Sequence, residues 1–84
     1  MNLDHLIRMA NQIGAFFEAM PDREQAIRDV ANHLQRTWEP RMREQILGVI
    51  DTAAAARLKP LVHQALQQLS AAAARDAQQG RGAP

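Results

Sequence analysis

The residues able to do chemistry in this chain are few and scattered. His5, His33 and His63 are its histidines, and no second His, Cys or carboxylate stands at a spacing that would preassemble a metal site around any of them. Each reads as a boundary or surface histidine. The hydroxyl side chains are Thr37, Thr52 and Ser70, none in the strained elbow that exposes a nucleophile, and there is no cysteine. The glycines are isolated or lie in the C-terminal tail, so no phosphate-cradling loop is present. The parts for catalysis, for metal binding and for cofactor binding are missing from this chain.

The densest constellation runs from Arg36 to Arg43 (RTWEPRMR), where the only tryptophan stands beside a proline among three arginines. Trp and Arg dominate interface hot spots, because a flat aromatic and a planar five-donor guanidinium gain much per immobilised side chain. Trp38 can equally be the largest core residue, with the arginines forming a solvated edge. Arg43 falls inside the apolar sector of its helix, where a charge must snorkel to water or find a partner. The corner residues Trp38, Pro40, Arg41, Met42 and Arg43 are therefore candidates for contact with another protein.

The elements that position these residues are helical. At 100° per residue, Asn2 to Met20 puts Leu3, Leu6, Ile7, Ala10, Ile13, Gly14 and Phe17 on one face, with Met9, Phe16 and Met20 beside it. That arc covers about half the circumference, wider than the ~100° stripe a surface helix needs. Met9, Phe16 and Met20 are the excess, a second candidate contact surface. Asn2 is the expected N-cap. Asp22, with Gln25 three residues on, forms a capping box opening a second helix from Arg23 to Thr37 or Trp38. Pro40 opens a third, with Met42, Ile46, Val49, Ile50 and Ala53 inward. Pro60 opens a fourth, striped by Leu61, Val62, Ala65, Leu66, Leu69 and Ala73 and fading in the alanine run at Ala71 to Ala74. The expected fold is all-α, a compact array of four short helices forming one domain over residues 1–75, followed by a flexible polar tail at 76–84.

Composition narrows the function classes. At 84 residues there is room for one core, and without cysteine it has no disulfide support. A small cysteine-free chain with charged residues throughout its first twenty positions suits the cytoplasm, not a secretory route. No run reaches the ~20 apolar residues of a membrane span. Ten Lys/Arg against nine Asp/Glu give a net charge of +1, too balanced to imply a polyanionic partner. The second and third helices have the outline of a helix-turn-helix, with Arg41 and Arg43 where base contacts would be made; the proline-containing, glycine-free join and the near-zero charge argue against it.

With these residues in view, the chain resembles the delta subunit of the cytoplasmic NAD-dependent, molybdenum-containing formate dehydrogenases. The resemblance is carried by LIRMANQIGAFF from Leu6 to Phe17, by WEPRMR from Trp38 to Arg43 running on to Ile50 and Asp51, and by LKPLV from Leu58 to Val62 leading to Ala65 and Leu66. Thr37 and Glu39 depart from the aromatic and the aspartate that the family pattern places around the tryptophan. The resemblance implies a heteromeric enzyme interconverting formate and carbon dioxide with NAD. Its large catalytic subunit would hold the molybdenum pterin and iron-sulfur clusters, and other subunits flavin and further clusters. The delta subunit would bind no cofactor, would dock on the catalytic large subunit, and would stabilise it or assist its maturation. A transient assembly chaperone or regulator of the same enzyme is the alternative.

Overall fold

The computed structural model describes residues 2–82, with side chains over 2–75. Its elements are α1 (Leu3–Phe17), α2 (Arg23–Thr37), α3 (Pro40–Leu47), a 3₁₀ turn η1 (Ala53–Arg57) and α4 (Pro60–Gly82). Among the described residues there is no strand, and the all-α expectation holds.

Local chemistry sets most helix starts. Asn2 is extended, and its side-chain Oδ1 accepts from the Asp4 amide at 2.8 Å, satisfying one of the unpaired donors of the first turn. Asp22 accepts from the Gln25 amide at 3.2 Å in the same way. The reciprocal half of the expected capping box does not form. The Gln25 side chain turns along α2, donating to Asp29 at 2.8 Å and accepting from Arg28 at 2.9 Å. Pro40 and Pro60 each occupy the first position of a helix, where a missing N–H costs nothing.

Helix ends depart further from expectation. α1 stops at Phe17 rather than reaching Met20. α3 stops at Leu47, so Val49, Ile50 and Ala53 are not on its face; Val49 is buried in the turn that follows, Ile50 half-buried, and Ala53 exposed. Gly48 weakens the helix there. The next amides tighten to i→i−3 bonds, Val49 to Ile46 at 3.2 Å and Thr52 to Val49 at 3.0 Å, with the Thr52 hydroxyl also donating to the Val49 carbonyl at 2.8 Å. His63 Nε2 lies 3.0 Å from the Ile50 carbonyl, an acceptor, so this nitrogen carries the proton. α4 continues through Ala71 to Ala74, alanine being the best helix former, and Ala73 is exposed rather than part of the buried stripe. The tail expected at 76–84 lies outside the residues whose side chains are described.

The core draws on every helix. Leu6, Ile7 and Ala10 of α1 meet Ala26, Ile27, Val30, Ala31 and Leu34 of α2, Ile46 of α3, and Leu61, Val62, Ala65 and Leu66 of α4. α2 packs most extensively against α4. No described polar or charged residue is fully buried.

The seam between α1 and the start of α4 includes a close approach. A Cβ on Gly14 would lie 2.4 Å from Val62 Cγ2, a distance real atoms do not adopt, and Val62 is wholly buried and stiff at χ1. One turn earlier, Asn11 donates from Nδ2 to the Arg57 carbonyl at 2.9 Å and accepts at Oδ1 from the Lys59 amide at 2.9 Å. Ion pairs flank this tie, Asp4 with Arg57 and Glu18 with Lys59 at 3.3 Å. Hydrogen bonding and charge from Arg57 hold the Asp4 carboxyl below its ordinary range.

Gly14→Ala should lower stability by about 1–3 kcal/mol in urea unfolding, because overpacking outweighs the ~1 kcal/mol gain in helix propensity; a more stable variant would show that α1 and α4 do not approach this closely. The Asp4 pKa is lower folded than unfolded, so the ion pair stabilises at neutral pH and is lost as pH falls through the lowered value. Asp4→Asn should therefore remove part of the loss of stability seen from about pH 5 downward, measured as unfolding midpoint against pH.

Candidate partner-binding surface

The corner between α2 and α3 is built from two extended residues and a proline. Trp38 (φ −86°, ψ 140°) ends α2 and Glu39 (φ −66°, ψ 152°) takes the extended conformation that a following proline imposes. Trp38 is only 5% exposed and belongs to the core, which settles its two readings in favour of packing and removes its ring from the outer surface. Met42 is half-buried against the same core, whereas Pro40 and Arg41 are exposed.

Arg43 finds its partner within this chain. One turn into α3, its Nη1 reaches back to donate to the Gln35 carbonyl at 3.1 Å and to the Trp38 carbonyl. Gln35 lies in the last turn of α2 and Trp38 is its C-cap, where carbonyls lack intrahelical partners and the helix dipole has its negative end. The guanidinium is thus a C-terminal cap for α2, and its partner is this chain's own backbone. Its Nη1 is engaged by the backbone, and of the pair suited to a helix-turn-helix Arg41 is the more exposed.

The second surface lies where α1 crosses α2. Met9, Gln12, Ile13, Phe16 and Phe17 of α1 and His33 of α2 line an open groove of about 460 Å³. Phe16 is 77% exposed and meets Phe17 edge-on, with ring centroids 5.1 Å apart and planes at 88°. Phe17 in turn meets His33 at 6.3 Å. Met20 lies beyond the helix end, half-buried against the core. Of the candidate residues, the fold brings Met9 and Phe16 together in this groove. Pro40 and Arg43 line a different cleft, between α2, α3 and α4, that shares no lining residue with it.

The potential chemical groups have structural uses. The Thr37 hydroxyl donates to the His33 carbonyl at 2.7 Å, as Thr52 does to Val49, and His5 is exposed. Among the described residues no three metal-ligating side chains gather, and no helix is long and apolar enough to cross a membrane. Sequence reasoning missed the two residues that matter most to the seam, Asn11 and Gly14. Their signal was present: a glycine inside an amphipathic helix on its apolar face marks a close approach, and Asn11 stands one turn before it.

The fold places the chain among small all-helical proteins. Residues 5–66, from the first turn of α1 to the end of the buried half of α4, match the NADH-dependent formate dehydrogenase delta subunit family, FdsD, and the chain belongs to that family. It is a subunit of a formate dehydrogenase and so has partner subunits. No curated protein and no solved structure gives a significant match.

Arg43→Ala should cost about 1–2 kcal/mol of unfolding free energy, the worth of charge-assisted bonds at a half-exposed site, and Arg43→Lys should recover part of it. A variant with unchanged stability would mean that the guanidinium does not cap α2.

Proposed function

We propose that this chain is a non-catalytic accessory subunit of a heteromeric NAD-dependent formate dehydrogenase, docking on the catalytic subunit and stabilising it or assisting its maturation. The observation that carries the reading is a solvent-exposed aromatic on an apolar groove in a chain whose family consists of enzyme subunits. The molybdenum pterin, iron-sulfur clusters and flavin belong to the partner subunits in this reading. The donor chemistry of this chain supports that division, since it has no cysteine to ligate a cluster. Formate oxidation to carbon dioxide then proceeds elsewhere in the complex, in the cytoplasm. Neither nucleic acid nor a membrane is a partner.

Docking uses the α1 surface with Met9 and Phe16, bordered past the helix end by half-buried Met20, and the outer side of the corner with Pro40 and Arg41; Trp38, Met42 and Arg43 shape that corner from within. A transient assembly factor would use the same surfaces, and stoichiometry separates the two. A constitutive subunit remains at parity with the catalytic subunit in the purified active enzyme, whereas an assembly factor is substoichiometric. Arg41→Ala should leave the unfolding midpoint within ~0.5 kcal/mol of wild type, as for other exposed sites, yet reduce retention in the complex. Unchanged co-purification and activity would assign the corner a purely structural role.

A further inference from the structure

The groove between α1 and α2 has a composition that restricts what can occupy it. Its lining residues Met9, Gln12, Ile13, Phe16, Phe17 and His33 include no carboxylate, lysine or arginine. A charged side chain entering it would lose water and find no counter-charge, a cost of several kcal/mol per ion. An apolar side chain would instead meet a thioether, a branched aliphatic and two rings, with Gln12 and His33 at hand for at most a hydrogen bond or two from the backbone that carries it. Methionine adapts to the shape of what it meets. Phe16 is the most exposed large apolar side chain among the described residues, ahead of Leu3 at 37%, and an exposed aromatic beside a preformed groove is the anatomy of an interface hot spot.

We infer that this groove receives an uncharged apolar anchor side chain from another subunit of the enzyme, with Phe16 closing over it. The inference rests on the subunit reading above and adds to it the site and the chemistry of the contact. The chain's own C-terminal residues cannot supply the anchor, because Asp76 to Pro84 contains no large apolar side chain. A partner subunit is favoured over a second copy because the chain belongs to a family of enzyme subunits. The stretch from Met9 to Phe17 is about 12 Å of helix, and at a helix width of ~10 Å it offers on the order of 100–200 Å². A stable pair needs ~800 Å² from each partner. Whatever covers the groove must therefore extend the contact over the neighbouring surface of the chain.

The test compares wild type with Phe16→Glu and Gln12→Arg, each co-expressed with the other subunits, reading the ratio of this chain to the catalytic subunit after gel filtration and the Kd for re-adding the purified chain. Circular dichroism should show both variants folded, because both sites are exposed. The expected result is at least tenfold weaker binding for both, with Gln67→Glu, an exposed change on α4, binding as wild type. Wild-type affinity in Phe16→Glu and Gln12→Arg would overturn the groove assignment and leave the subunit reading intact. Failure of the wild-type chain to associate at all would overturn both. A wild-type dimer that Phe16→Glu converts to monomer would identify the occupant as a second copy and overturn the assignment to another subunit.

Discussion

Helix α1 can lie against the start of α4 only because position 14 has no side chain. Gly14 lets Val62 come within a distance that a methyl group would forbid, and Asn11, one turn away on the same side of α1, turns that proximity into a fixed register by pairing with both the Arg57 carbonyl and the Lys59 amide. The consequence extends beyond the seam. Closing it positions the first turn of α4, and with it Leu61, Val62, Ala65 and Leu66, against α2. The connection from Gly48 to Lys59 has no long helix to stiffen it, so its path depends on ties at its margins: His63 to the Ile50 carbonyl at one end and Asn11 to the Arg57 carbonyl at the other. Pro60 sets where α4 begins, and Asn11 fixes how that start lies against α1.

The corner at Pro40 applies the same logic on the other side of the molecule. Glu39 is extended because proline follows it, and that extension swings Trp38 inward while the chain turns outward into α3. Arg43 then reaches back across the turn to the exposed end of α2. Three neighbouring residue types that suggest an interface when read as a string are therefore divided by the fold. Tryptophan and one arginine hold the corner together, while Pro40 and Arg41 remain at the surface. The pattern from Trp38 to Arg43 is first a device for joining two helices at a fixed angle.

How far the sequence reveals this depends on the range over which each feature is determined. Asn2, Asp22, Pro40 and Pro60 act within their own first turns, and the helix starts they mark are where expected. The end of α3 is set by Gly48 together with a histidine on another helix, so a periodicity of apolar residues running through Val49 to Ala53 suggested a longer helix than forms. Arg43 was legible as a charge in an apolar sector that required a partner; that the partner is the backbone of α2 depends on the angle of the corner, which helical periodicity does not encode. Phe16, Met9 and Met20 were legible as an excess over the stripe that α1 needs. Only packing shows that Met20 turns toward the core while Phe16 does not.

That division bears on why the chain carries an exposed ring at all. A small chain without disulfides buries a limited share of its surface, so apolar side chains are valuable inside. Phe16 could join the core only by rotating α1, and α1 cannot rotate without breaking the Asn11 pairing and driving a side chain other than Gly14 against Val62. The seam therefore fixes Phe16 outward as firmly as it fixes Leu6 and Ala10 inward. Within its own fold Phe16 packs edge-on against Phe17 and is otherwise largely exposed; a partner surface that covered it would bury it and, by mass action, shift the folding equilibrium of this small chain toward the native state. The rigidity of α1 against α4 and the availability of the groove are in this sense one property, set by the same glycine and the same asparagine.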